Sequence, residues 1–249
     1  MENKSILLVV GAILLSGMMI ASAIVYNGAQ YRSVDGGTGT AGTGAAPQEQ
    51  QLIEESGIEV SLADTDPYQG NKSEAQVAII EFSDYECPFC QRFHNDARTD
   101  ILSEYVESNQ AILVWKDLPL SFHDPLATTQ AVAAQCANQV AGNDQYFEFS
   151  DQIFATTTSG GSGMEPADLV EIAREVEGLD FDAWNSCYEN EETLGIVEAN
   201  ADQAAELGVT GTPGFIIGRY EDGKVVDGVR IAGALPFETF QEVIDTFLE

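Results

Sequence analysis

Cys87 and Cys90, separated by Pro88 and Phe89, are the residues of this chain best placed by type and spacing to do chemistry. Two intervening residues put both sulfurs within one helical turn, close enough to form a small disulfide. Pro88 suits the first turn of a helix, where no backbone N–H is needed. A sulfur at that point meets unpaired N–H groups and the positive end of the helix dipole. Both favour the thiolate, so Cys87 is expected to have a lowered pKa and to be the exposed, attacking sulfur. Cys90 would be the shielded, resolving one. A lone CxxC is also half of a zinc knuckle. The other two cysteines, Cys136 and Cys187, are far apart and form no second CxxC, and the chain has only two histidines, His94 and His123. These spacings argue against a compact zinc site, and no metal is expected.

Several elements must hold this pair. Val77, Ile79 and Ile80 are β-branched and Phe82 is aromatic, which reads as a covered strand running into a short turn before Cys87. Glu81 lies on that strand, six positions before Cys87; strand alternation alone leaves open whether it is buried. Asp84 and Glu86 put negative charge near Cys87, which opposes its thiolate, and salt would screen them if they are exposed. The Cys87 helix is expected to run to about Asn109, and Ala111 to Trp115 forms a second strand, completing a right-handed βαβ unit. A helical block follows: Pro125 to Val140, Tyr146 to Phe154, a helix opening at Glu165-Pro166, Phe181 to Tyr188, and Glu191 to Leu207. Phe215 to Ile217 and Val229 to Ala232 read as hairpin strands around the turn residues Glu221 to Lys224. Pro236 opens a last helix with Phe237, Phe240, Ile244 and Phe247 on one face.

The segment Glu81-Phe-Ser-Asp-Tyr-Glu-Cys-Pro-Phe-Cys90 resembles the active-site segment of DsbA-like thiol–disulfide oxidoreductases. Gly208-Val-Thr-Gly-Thr-Pro-Gly-Phe-Ile-Ile217 is similar to the cis-proline loop of that family, and Leu118-Pro119-Leu120 followed by His123-Asp124-Pro125 also looks familial. The resemblance runs from about Val60 to Glu249. It implies an α/β, thioredoxin-like fold with an inserted helical domain at about residues 122–205. It implies a Cys87–Cys90 redox disulfide and a buried Glu81 that exchanges the proton of Cys90 through water. It implies a cis Thr212–Pro213 bond whose preceding backbone pairs with extended substrate, with Pro88 and Phe89 on the same substrate-binding surface. It implies no bound cofactor, a monomer, and reduced secreted or membrane proteins as substrates. A quinone-linked membrane oxidase, DsbB-like or VKOR-like, would re-oxidise the pair. Disulfide formation is the favoured direction. Reductase or isomerase activity, and a non-catalytic peptide-binding holdase, remain open.

The rest of the chain bounds where such chemistry takes place. With 10 Lys+Arg against 41 Asp+Glu, the formal net charge is -31. Such a surface repels phosphate backbones and argues against nucleic-acid binding. It also suits high salt, where screening quiets self-repulsion. Ile6 to Tyr26 is uncharged, almost wholly apolar and long enough to cross a bilayer. Ala21-Ser22-Ala23 resembles a signal cleavage site, but the run is long for a cleaved signal, so residues 1–26 are expected to be an uncleaved transmembrane anchor. Residues 27–60 read as a flexible linker rich in Gly, Thr and Ala, although Ile58 to Leu62 alternates like an edge strand. Residues 61–249 are the thioredoxin-like domain. Disulfide chemistry places that domain outside the cytoplasm of a single-pass cell-membrane protein. In that compartment Cys136 and Cys187 are expected to form a structural disulfide between two helices; two free thiols or a second redox relay are the alternatives. His94 and His123 are assigned no catalytic role, and Trp115 and Trp184 read as core or groove lining.

Overall fold

The computed structural model describes residues 55–249. The apolar run Ile6–Tyr26 and the Gly/Thr/Ala-rich stretch after it lie outside the described residues. Among the described residues, no helix is long and apolar enough to cross a membrane.

The central strand is β3 (Val77–Ser83), and every residue in it is buried. Its run of Val, Ala, Ile, Ile and Phe fits a strand covered on both faces, which needs no polar side. It pairs in parallel with β4 (Ala111–Asp117), through Glu81 opposite Trp115. On its other side it pairs antiparallel with β5 (Gly214–Glu221), through Glu81 opposite Phe215. β6 (Lys224–Ala232) returns beside β5 after a turn at Asp222 and Gly223, whose φ values of 48° and 80° are those a tight hairpin requires. β1 (Glu55–Ser61) closes one edge against β6, and β2 (Tyr68–Gln69) closes the other against β4. The order among the described residues is β1-β6-β5-β3-β4-β2. The sheet thus begins at Glu55, inside the stretch read as linker. Ile58 and Val60 supply its inward face, as their alternation suggested. The two residues of β2 carry no sequence signal of their own.

The Cys87 helix is shorter than expected. α1 (Pro88–Asn95) stops at Asp96, whose φ of -107° and ψ of -100° are not helical. The chain resumes as α2 (Ala97–Ile101) and widens into a π-helical turn at Leu102–Val106. Asn95 and Asp96 are residues that favour caps over helix interiors, which accounts for the break. Phe93, Ala97 and Ile101 nevertheless all pack on the sheet with Val77, Ile79, Phe215, Phe240 and Ile244, the last two from α8 (Phe237–Leu248). Ala78, Ile80, Phe82, Ile112, Val114 and Ile216 fill the opposite face.

Between β4 and β5 the chain builds a helical insertion: α3 (Leu126–Ala141), α4 (Asn143–Thr156), α5 (Pro166–Glu175), α6 (Phe181–Glu189) and α7 (Leu194–Glu206). A disulfide joins Cys136 of α3 to Cys187 of α6 with a Cα–Cα separation of 5.8 Å. Trp184 Nε1 donates to the Ala133 carbonyl at 2.9 Å across the same interface. The core of the insertion reaches the sheet through Tyr85, Trp115, Cys87 and Cys90, so the cysteine pair lies where the two halves of the fold meet.

Candidate active site

Cys87 is the N-cap of α1, with extended backbone (φ -83°, ψ 118°) and Pro88 in the first turn. This is the placement its spacing from Pro88 implied. Cys87 and Cys90 are free thiols, so the structure holds the reduced form of the pair. Cys87 is less open than expected, at 4% exposed, and Cys90 is wholly enclosed. Phe89 between them is 53% exposed.

The two thiols are pushed in opposite directions. A hydrogen bond from Cys90 pulls the Cys87 thiol down to about 6, against the opposing effect of burial. The backbone N–H groups of Cys90 and Phe89, orphan donors at the start of α1, add to this. Cys90 is pushed well up, first by burial and then by its bond to Cys87 and the charges of Cys87 and Glu81. One sulfur is therefore primed as a nucleophile and leaving group, and the other holds its proton.

Thr212–Pro213 is cis, as the resemblance implied. It brings the Thr212 carbonyl oxygen within 3.4 Å of Cys87 Sγ, which donates to it. Beside the loop, Val209 to Gly214 and Arg230 to Gly233 line a cavity of about 210 Å³. Asp124–Pro125 is also cis, at the entry to the insertion.

Glu81 is buried, because both faces of β3 are covered and alternation leaves it no route to solvent. It shares a face with Val77 and Ile79, the face that α1 covers. Burial raises its carboxyl to about 7, against the weaker opposing effects of Ser83 and Arg98. It is thus a buried acid beneath the pair, able to hold or release a proton near neutral pH.

Asp84 and Glu86 are not the solvent-exposed charges considered from the sequence; both are buried. Asp84 accepts from the backbone N–H of Glu86 and of Leu120, each at 2.8 Å, and its Oδ2 lies 2.8 Å from His123 Nδ1. It ties the turn before Cys87 to the Leu118–Pro125 connection. Glu86 accepts bonds from Gln130, Thr157, Gly161 and Gly163. His94, on α1, lies 3.3 Å from Asp151 and stacks near Phe154; burial, helped by Arg98, pushes it down to about 3. It is a neutral packing residue. Among the described residues, no group of three or more His, Cys, Asp or Glu side chains is close enough to hold a metal ion.

A thioredoxin family model matches residues 62–246, nearly the whole of the described chain. The chain belongs to the thioredoxin family. Within it the form is DsbA-like. The crystal structure of Pseudomonas aeruginosa DsbA2 is similar with a TM-score of 0.61 and 27% identity, covering 75% of this chain and 96% of that one. A Rickettsia conorii protein provisionally named a protein-disulfide oxidoreductase is 21% identical over 204 residues, 81% of this chain and 67% of that protein. A Salinispora tropica protein named as an Na(+)/H(+) antiporter, NhaA 3, is 30% identical over 154 residues, 62% of this chain. The match spans only 22% of that relative's length.

In this thioredoxin-family chain the structure gathers Cys87, Cys90, Glu81, Pro88, Phe89, Thr212 and Pro213 at one end of the sheet. The sequence left open whether Asp84 and Glu86 are exposed; the structure buries both. Apart from the local bond between Asp84 and the Glu86 N–H, their partners lie between 36 and 77 residues away, beyond the reach of any local pattern.

Proposed function

We propose that this chain is a protein thiol–disulfide oxidoreductase that forms disulfides in reduced proteins outside the cytoplasm. A substrate thiolate attacks Cys87 Sγ in the Cys87–Cys90 disulfide. The S–S bond breaks, Cys90 leaves as a thiolate, and the buried Glu81 carboxyl supplies its proton. A second substrate thiolate then attacks the substrate sulfur of the mixed disulfide. The substrate disulfide forms, and Cys87 leaves as a thiolate. Two electrons now rest on the Cys87–Cys90 dithiol. A quinone-linked membrane oxidase, DsbB-like or VKOR-like, is the class of partner that would remove them. No step calls on a bound cofactor.

One arrangement supports the direction: the Cys90 thiol and the backbone N–H groups of Phe89 and Cys90 at the start of α1 all favour the thiolate of Cys87. A thiolate held by its surroundings lowers the free energy of the reduced pair, makes Cys87 the better leaving group, and makes the disulfide a stronger oxidant. The apolar run Ile6–Tyr26 supports an uncleaved membrane anchor, with the following Gly/Thr/Ala-rich stretch as a tether.

The test is oxidation of a reduced, unfolded protein by the full chain under an oxidising thiol buffer. Cys87→Ser is expected to abolish turnover. Cys90→Ser is expected to accumulate a mixed disulfide on Cys87. A reduction potential well above that of glutathione supports an oxidase, and one well below it identifies a reductase. Full turnover in both variants would sink the reading.

A further inference from the structure

Glu86 directly precedes Cys87, and its side chain is fully buried. One carboxylate oxygen accepts from Gln130 Nε2 at 2.8 Å and from the Thr157 hydroxyl at 2.5 Å. The other accepts the backbone N–H groups of Gly161 at 2.9 Å and Gly163 at 2.8 Å. Its own carbonyl takes the N–H of Gly160 at 2.8 Å. A buried carboxylate that gathers four neutral donors organises whatever carries those donors.

Three of the donors sit on a segment held otherwise by Gln91 Nε2 on the Thr157 carbonyl and by bonds between Thr158 and Gly163. Thr157 to Gly163 reads Thr-Thr-Ser-Gly-Gly-Ser-Gly, with no apolar side chain to bury. Glu86 ties it to the residue before the nucleophile. The segment in turn packs on the Phe122–His123 backbone. Gly161 has φ of +83°, and a Cβ there would lie 3.0 Å from His123 Cα and 3.2 Å from the Phe122 carbonyl oxygen. Only glycine allows that approach. His123 is held by Asp84, and its ring lies 4.4 Å from that of Phe122. Phe122 is 72% exposed. Phe122 and Phe89 are the large apolar side chains left exposed among the described residues.

We propose that Glu86 is a positioning residue for polypeptide substrates: its carboxylate pins the Thr157–Gly163 loop beside Cys87, and the loop seats Phe122 as an apolar wall. The occupant is an extended, reduced polypeptide whose apolar side chains rest on Phe122 and Phe89 while its thiol reaches Cys87. A small thiol does not touch this wall. The proposal rests on the oxidoreductase reading for its substrate, but the pinning itself is independent of activity.

Two readouts on the full chain test it. The first is amide hydrogen exchange at Gly161 and Gly163. Glu86→Gln keeps one acceptor oxygen and makes the other position an NH2 donor, so either Gln130 with Thr157 or Gly161 with Gly163 loses its acceptor. A buried donor left unmet opens more readily, so exchange is expected to quicken by about tenfold or more. The second is the rate with a reduced, unfolded protein divided by the rate with dithiothreitol. That ratio is expected to fall about tenfold in E86Q, by the same lost bond. Phe122→Ala, at an exposed position where folding is not at risk, is expected to lower the ratio and leave loop protection intact. Thr157→Val removes one donor with little change of shape, and is read in the same way should E86Q fail to fold. Unchanged amide protection in E86Q, or in T157V where E86Q does not fold, overturns the pinning. An unchanged ratio in F122A overturns the wall. If the wild type reacts with neither reductant, the oxidoreductase reading and the substrate half of the proposal fall together, and exchange still decides the pinning.

Discussion

Glu81 shows how a single side chain couples stability to chemistry. Its carboxyl stands at about 7 in the fold against an ordinary value of 4.5, with burial the main cause. The folded chain therefore keeps a proton that the unfolded chain releases between those values. Its contribution to stability is fully present below pH 4.5 and is lost as pH rises to 7. Glu81→Gln removes the penalty, and should stabilise the protein by roughly 3 kcal/mol at pH 8 and by little at pH 4. The same variant should slow disulfide exchange, because Cys90 loses its proton donor. Denaturant unfolding at both pH values checks this; an equal effect at each would show that Glu81 is not buried as an acid. The residues closest to the chemistry were legible in the sequence because their signals are local. Cys87, Pro88 and Cys90 announce a helix start, and Gly211 to Gly214 announces a tight loop. Glu86 gave no such signal, since a carboxylate beside a cysteine looks the same whether it faces water or Gly161 and Gly163.

At the scale of elements, β3 and β4 were readable from continuous apolar runs, and α3 to α8 from apolar periodicity and from turn residues between them. The break of α1 at Asp96 was not, because the apolar positions Phe93, Ala97 and Ile101 keep a helical spacing through it. β2 is held by pairing with β4 and by the Asn143 side chain bonding the Tyr68 N–H at 3.0 Å, both tertiary causes. The core of the insertion is continuous with Tyr85 and Trp115 at the sheet, and the Cys136–Cys187 bond crosses the insertion with a sequence separation of 51. In the chain-entropy description, closing a loop of that length contributes about 4 kcal/mol. The double variant Cys136→Ala/Cys187→Ala should therefore lower the thermal midpoint by roughly 10 °C. The thiolate titration of Cys87 should stay where it is, since neither cysteine touches the CxxC pair. An unchanged midpoint would show that the bond adds nothing to the fold.

For the molecule as a whole, charge outweighs any single contact. A formal net charge of -31 is spread over a chain with only 10 basic residues. Repulsion among exposed carboxylates is screened over ~10 Å at 0.1 M salt and ~3 Å at 1 M. The midpoint of unfolding should rise steadily with KCl across that range; a flat or falling midpoint would show that acidity is not a stability load. Through the N-terminus of α1 and the Cys90 thiol, the fold holds Cys87 as an anion near neutral pH. The direct measurement is the rate of Cys87 alkylation against pH, with Cys136–Cys187 intact and Cys90→Ser as the comparison. A midpoint at about 6 is expected in the native pair, rising when the Cys90 hydrogen bond is removed. A midpoint near 9, the ordinary thiol value, in both proteins would contradict it.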